Sequence, residues 1–299
     1  MKINGKKAMH LFSVVCLTVL AMICVVPFMM VISASLSSEG DLVSNGYKLL
    51  PQGFTLASYK ELLTGFKNPK AVIPRAYVVT MFNTALSTIL MVVLVTLSAY
   101  PLCRKTYRWK TIVTIYWLIP MLFGGGEVAN YIHLSRNLGL LNSIWVLIWP
   151  GCFSAWNAFL IRGFMSQVDT GYIEAAKIDG ASEFQILFKI FAPMAKPGLA
   201  VITMKTILAN WNEWYACMLY MPDDKYMTIQ RYLQKILSNI SMMKTALATD
   251  SGFITDMANI PSESLRMAIC VVAAGPMIFV FMFFQKYFVK GISIGGIKG

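Results

Sequence analysis

Predominantly apolar stretches occupy residues 11–32, 77–100, 144–161, 199–221 and 267–289. Each is close to the ~20 residues a helix needs to cross the hydrocarbon of a bilayer. A sixth stretch, 112–132, is weaker, because its apolar run meets Gly124, Gly125, Gly126 and Glu127 before resuming at Val128. The charge pattern favours keeping it, since lysine and arginine are retained on the inner side of short loops. With six spans and the N-terminus inside, inner segments hold fourteen basic residues against four acids, and outer segments eleven against eight. Dropping the third span would put Arg162, Lys177, Lys189, Lys196 and the basic C-terminal tail outside. The pattern therefore predicts an all-α polytopic membrane protein with an inner segment 1–10, an outer loop 33–76, an inner loop 162–197 and an inner tail 290–299.

Composition agrees: 57% hydrophobic and 13% charged residues with mean hydropathy +0.61 exclude the ordinary soluble class. The net charge of +12 reads as orientation and not as nucleic-acid binding, because no basic stripe interleaved with aromatics sits on a soluble domain. Lys2, Lys6 and Lys7 before an apolar run resemble a signal peptide, but the length of that run and the lack of a small-x-small cleavage site favour an uncleaved span. Six cysteines fall in or beside the spans without paired or metal-ligand spacing and read as packing residues. No GxxxxGK[ST] phosphate loop and no GxSxG elbow occurs, and His10 and His133 are too few for a metal centre. The chain is expected to bind no cofactor and to catalyse nothing itself.

Two outer segments, 33–75 and 222–265, contain short helices near 57–63 and 228–237; the first, set among turn formers, is expected to have little core of its own, and both could receive a partner on the outer face. The inner connection 162–197 is too long and too patterned to be only a turn. Gly171 and Gly180 bracket one short helix, and Ser182 with Gln185 has the spacing of a capping box that opens a second. Ala175 and Ala176 give the first helix a low profile, while Phe184, Leu187, Phe188 and Phe191 form an i, i+3, i+4, i+7 stripe on the second. Such a partly apolar knob calls for a cover.

The segment EAAKIDGASEFQILFKIFAP, residues 174–193, resembles the cytoplasmic "EAA" loop of ABC importer permeases, departing from it at Ala192, where leucine is usual. FTLASY, LGLLNS, IDGAS and NWNEW extend the likeness along nearly the whole chain, to the smaller of the paired permeases in carbohydrate importers of the maltose-permease type. KYFVKGISIGGIKG at the C-terminus is similar to permeases of complex oligosaccharides. The resemblance implies a type-1 importer permease fold in a bacterial plasma (inner) membrane, multi-pass, with both termini cytoplasmic. It implies a second homologous permease, an ATPase dimer that binds ATP and Mg, an extracytoplasmic sugar-binding protein and an oligosaccharide substrate. The coupling residues it implies are Glu174, Ala175, Ala176, Gly180, Ile190 and Pro193, with Glu174 as polar anchor and Gly180 as the turn.

Asn210, Trp211, Asn212, Glu213 and Trp214 are the candidate substrate path. A continuous fifth helix would put Asn210, Glu213, Trp214 and Cys217 on one face and Glu213 ~12 Å inside the membrane. An intramembrane carboxylate costs roughly 2.5–3.5 kcal/mol on insertion scales, so it must face protein or water. Glu213 reads either as a hydroxyl acceptor beside tryptophans stacked on sugar rings or as a polar lock between helices. Two other functions stay open: an ion-coupled carrier with Glu213 as the coupling carboxylate, and a membrane enzyme using Glu127 and Glu213. Lys205 is close enough to the inner end of its span to snorkel to the interface.

Overall fold

The computed structural model describes residues 2–67, 72–104, 106–248 and 263–295, and every regular element among them is helical. The expectations placed on Pro69, Lys105, Lys298 and residues 249–262 lie outside the described residues. The chain forms two compact units, one of Met1–Ile73 with Leu233–Pro276, the other of Pro74–Tyr232 with Met277–Gly299.

In the first unit, α1 (Lys2–Ser35) exposes Leu11, Phe12, Leu17, Leu20 and Ile23, an exterior suited to hydrocarbon. After it come α2 (Glu39–Asn45) and α3 (Ala57–Lys67). The little core expected of this segment is three buried apolar side chains, Ala34, Leu42 and Leu62, and buried serines supplement it. The Ser35 hydroxyl lies 2.8 Å from the Tyr59 hydroxyl, and the Ser37 hydroxyl donates to the Ser33 carbonyl at 2.8 Å while accepting the Gln52 N–H at 3.0 Å. The Glu39 carboxylate accepts the backbone N–H groups of Glu263 and Ser264 at 2.8 and 2.9 Å, satisfying donors that the first turn of α15 (Glu263–Gly295) leaves free. Polar satisfaction thus orders a segment whose apolar content alone would not. The helix expected near 228–237 is longer, α14 (Ile229–Ala248).

The second unit is built on α4 (Val72–Cys103), which extends the expected 77–100 at both ends. Its polar residues Thr80, Asn83, Thr84, Ser87, Thr88 and Thr96 are buried, as a bilayer demands of polar groups in a span. The third expected span is broken. Its first part, α5 (Lys110–Leu122), meets the run Gly126–Asn137, which starts as α6 (Gly126–Ile132), at a bend of 109°. The break falls at the glycine triplet noted in the sequence.

The expected continuous helix 144–161 is corrected to α7 (Trp145–Ile148), a 3-10 turn (Trp149–Gly151) and α8 (Ala155–Met165). Pro150 has no N–H to continue the ladder, and Ser154 restarts it by accepting the Asn157 N–H at 3.4 Å. The expected fifth helix 199–221 is corrected as well. It begins earlier and ends earlier as α12 (Lys196–Trp211), then resumes after residues 212–214 as α13 (Tyr215–Tyr220).

Among the described residues, three helices are long and apolar enough to cross a membrane, and two bent pairs bring the number to five. The interrupted fourth run is compatible with a sixth crossing. The core of the second unit gathers Met91, Val95, Ala99 and Tyr100 of α4, Ala158, Ile161 and Met165 of α8, and Ile202 of α12 around Ile173, Ile186, Leu187 and Phe191 of the inner loop. Removing each large apolar side chain from water contributes about 1.5–3 kcal/mol, so the loop is held on the bundle by packing and is no dangling connection.

Candidate functional site

The inner loop comprises α9 (Thr170–Ile178), α10 (Glu183–Ile186), a π-turn (Leu187–Phe191) and α11 (Ala192–Met194). Asp169 starts α9 by accepting the Gly171 N–H at 2.9 Å. At its other end the Ala181 N–H reaches the Ala176 carbonyl at 2.9 Å and the Gly180 N–H reaches the Lys177 carbonyl at 3.1 Å. This pair of bonds is a Schellman motif, which requires its C′ residue in the left-handed region, and Gly180 has φ +75°. The expected capping box follows at once: the Ser182 N–H donates to Gln185 Oε1 at 2.8 Å, and the Gln185 N–H to Ser182 Oγ at 3.4 Å. Two consecutive terminal motifs therefore set the angle between α9 and α10.

The predicted apolar stripe is divided. Ile186, Leu187 and Phe191 are buried while Phe184 and Phe188 face outward; each residue of the π-turn rotates through a smaller angle than in an α-helix, which brings Phe191 back over Leu187. Ile178 is 87% exposed and Phe184 68%, and Tyr172 lies exposed on the same loop. Of the coupling residues, Glu174, Ala175, Gly180 and Pro193 are exposed, whereas Ala176 and Ile190 pack against the core of the unit. The low profile expected of both alanines is thus divided: Ala175 faces outward and Ala176 lets α9 lie close on the bundle.

Sequence reasoning missed Glu183. The Tyr100 hydroxyl donates to one of its carboxylate oxygens, while Arg104 Nη2 and Lys177 Nζ reach the other at 3.2 and 3.1 Å. The Arg104 side chain is only 12% exposed, that of Glu183 52%. Arg104 also lies 5.8 Å from the Tyr100 ring centroid, and Tyr100 meets Phe191 edge-on at 5.0 Å. The Tyr100 hydrogen bond, opposed by partial burial and aided by Lys177 and Arg104, holds the Glu183 carboxyl below its ordinary range. The stabilisation is thus present above the ordinary carboxylate value and is lost as pH falls through the lowered one. The one local signal was an acid in the first turn of a capped helix; contacts 83 and 79 residues away leave none.

The second cluster, at the break between α12 and α13, departs from the shared face expected of it. Asn210 is half-buried, and Trp211 is 3% exposed with its ring edge-on to Tyr77 at 5.7 Å, so it presents no free face for a sugar. The Asn212 amide donates to the Leu208 carbonyl at 2.8 Å and accepts from Gln230 Nε2 at 3.3 Å. The Glu213 carboxylate accepts the Ala216 N–H at 2.7 Å, and its carbonyl accepts the Thr228 hydroxyl at 2.8 Å. Its acid therefore serves a helix terminus. Trp214 remains 38% exposed, and Lys205 is exposed.

Apolar helices, several of them interrupted, around a firmly seated two-helix loop are the architecture of a polytopic membrane protein. Residues 72–294 match the family model "binding-protein-dependent transport system inner membrane component", and the chain belongs to that family. It is 31% identical to the polygalacturonan/rhamnogalacturonan transport system permease protein YtcP of Bacillus subtilis (strain 168), over 95% of this chain and 96% of that protein. It is also 26% identical to the melibiose/raffinose/stachyose import permease protein MelC of the same organism, over 92% and 91%. Among solved structures, a bacterial ABC transporter involved in the import of the acidic polysaccharide alginate superposes with a TM-score of 0.79 at 26% identity, covering 95% of this chain and 98% of that one.

Proposed function

We propose that this chain is one permease half of an ATP-driven oligosaccharide importer in a bacterial plasma membrane, with both termini cytoplasmic. It pairs with a second, homologous permease, and an extracytoplasmic binding protein delivers the sugar. The inner loop is the surface that a separate ATPase dimer, holding ATP and Mg, grips and moves. One observation carries this reading: Tyr172, Ala175, Ile178 and Phe184 are exposed on a loop whose opposite side is locked into the bundle core. A surface that is apolar, rigidly mounted and uncovered suits a protein partner. Glu174 serves as the polar anchor, Gly180 fixes the turn, Ala176 and Ile190 seat the loop, and Pro193 leads back to α12.

The half-buried and exposed groups at the α12–α13 break, Asn210, Asn212, Glu213 and Trp214, border the sugar path, and Trp211 supports them from behind. Transport follows from linkage: ATP and the loaded binding protein each favour the outward-open state, because only differential affinity moves a two-state equilibrium. The relatives named above handle both acidic and neutral saccharides, so the cargo is best sought in a panel of both.

Reconstitution of the intact importer in liposomes with its binding protein tests the proposal. ATP is expected to drive uptake of one or more oligosaccharides of the panel. Glu174→Ala should remove most of it by weakening the ATPase contact. Glu213→Gln, which keeps an oxygen for the Ala216 N–H, should leave it within about threefold, since a neutral cap costs little. Uptake that persists without the ATPase and disappears in Glu213→Gln would make the chain an ion-coupled carrier instead.

A further inference from the structure

The loop is joined through the chain to α8 and α12, but not to α4, whose inner end reaches it only through space. We propose that Glu183 is a positioning residue that fastens the inner loop to α4 through Tyr100 and Arg104, so that load placed on the loop moves the second span together with the fourth and fifth. This rests on the reading of the loop as the ATPase contact and adds a route for the force.

Three features fit Glu183 for the task. Its backbone is fixed at the first position of α10, inside the capping box and two residues past the end of the Schellman motif at Ala181, so the carboxylate has little freedom to follow a moving partner. Its two partners at the α4 end are themselves enclosed: Tyr100 of α4 is 7% exposed and wedged on Phe191, and the side chain of Arg104, the residue that follows α4, is 12% exposed. Both bonds involve an ionised carboxylate and are stronger than neutral hydrogen bonds. The Lys177 arm differs, since both of its groups are about half exposed, at 51% and 52%, and water and salt screen it. It joins α9 to α10 within the loop and carries no force to α4.

The reconstituted importer separates these arms. Glu183→Ala and Tyr100→Phe are expected to keep the ATPase bound and its sugar-independent ATP turnover intact. They should lower sugar-stimulated turnover and sugar moved per ATP by roughly fivefold or more, the lower end of measured couplings between linked sites. Glu183→Gln retains an acceptor for Tyr100 and should recover part of the loss, and Lys177→Met should stay within about twofold. Wild-type stimulation in both Glu183→Ala and Tyr100→Phe would overturn the proposal. So would loss of the ATPase from these variants, because the cluster would then only shape the loop. Failure of the wild-type chain to bind any ATPase would instead strike the proposed function itself.

Discussion

Gly180→Val is expected to reduce sugar-stimulated ATP turnover at least tenfold in an importer that still reaches the membrane. With φ +75°, Gly180 occupies the left-handed region that closes the Schellman motif, and a Cβ there would meet nothing within 4 Å. The penalty is therefore backbone strain alone. It is roughly 1–2 kcal/mol for an ordinary L-residue, and more for a β-branched one whose side chain crowds its own main chain. Strain of that size favours a differently angled α9–α10 junction, and each ~1.4 kcal/mol is a factor of ten in the population competent to engage the ATPase. Asparagine tolerates this region, so Gly180→Asn should lie near wild type and Gly180→Ala between the two. Turnover measured across the three variants checks the order; equal activity would show that the turn is not under constraint.

Gly198→Ala is expected to damage folding more than the contact with the ATPase. A Cβ at this position would lie 2.4 Å from Phe164 Cδ2 and 2.7 Å from Cγ, closer than real contacts allow. Phe164 packs against the core, so its ring has little room to withdraw, and overpacking of this kind costs about 1–3 kcal/mol. The contact joins α8 to α12, the two helices that enter and leave the loop. Thermal unfolding in detergent should show a transition lowered by several degrees, and Phe164→Leu in the same chain should restore much of it. Independent, additive losses would mean that the two residues do not compete for the same space.

These two glycines illustrate what the amino-acid pattern discloses. Gly180 was legible because a helix stop and a capping box stand back to back around it, and both are local motifs. Gly198 was not, since its partner is 34 positions away in another helix and only packing brings them together. The spans themselves were visible as lengths of apolar residues, but hydropathy is insensitive to where a backbone breaks. Trp149, Pro150 and Gly151 carried a breaker signal inside an apolar run, and Glu213 marked a helix start that lacked any glycine or proline. The missed Glu183 cluster follows from the same limit: Tyr100 and Arg104 read as an apolar span end and an inner positive charge. Their convergence on one carboxylate is a property of the fold. The stripe expected to await a cover was likewise only half right: Phe184 and Phe188 are exposed, but Leu187 and Phe191 turn into the core at the π-turn, which no local residue pattern announces.

The central claim is that the inner loop is gripped by a separate nucleotide-hydrolysing subunit, and photo-crosslinking from the loop tests it most directly. With benzoylphenylalanine in place of Ala175 or Ile178 in the intact importer, illumination should yield one dominant adduct with an ATPase, fading when the crosslinker is moved to the buried Ile173. No ATPase adduct from either exposed position, or labelling of Ala175→Cys by an impermeant thiol reagent applied to the outer surface of cells, would contradict the account.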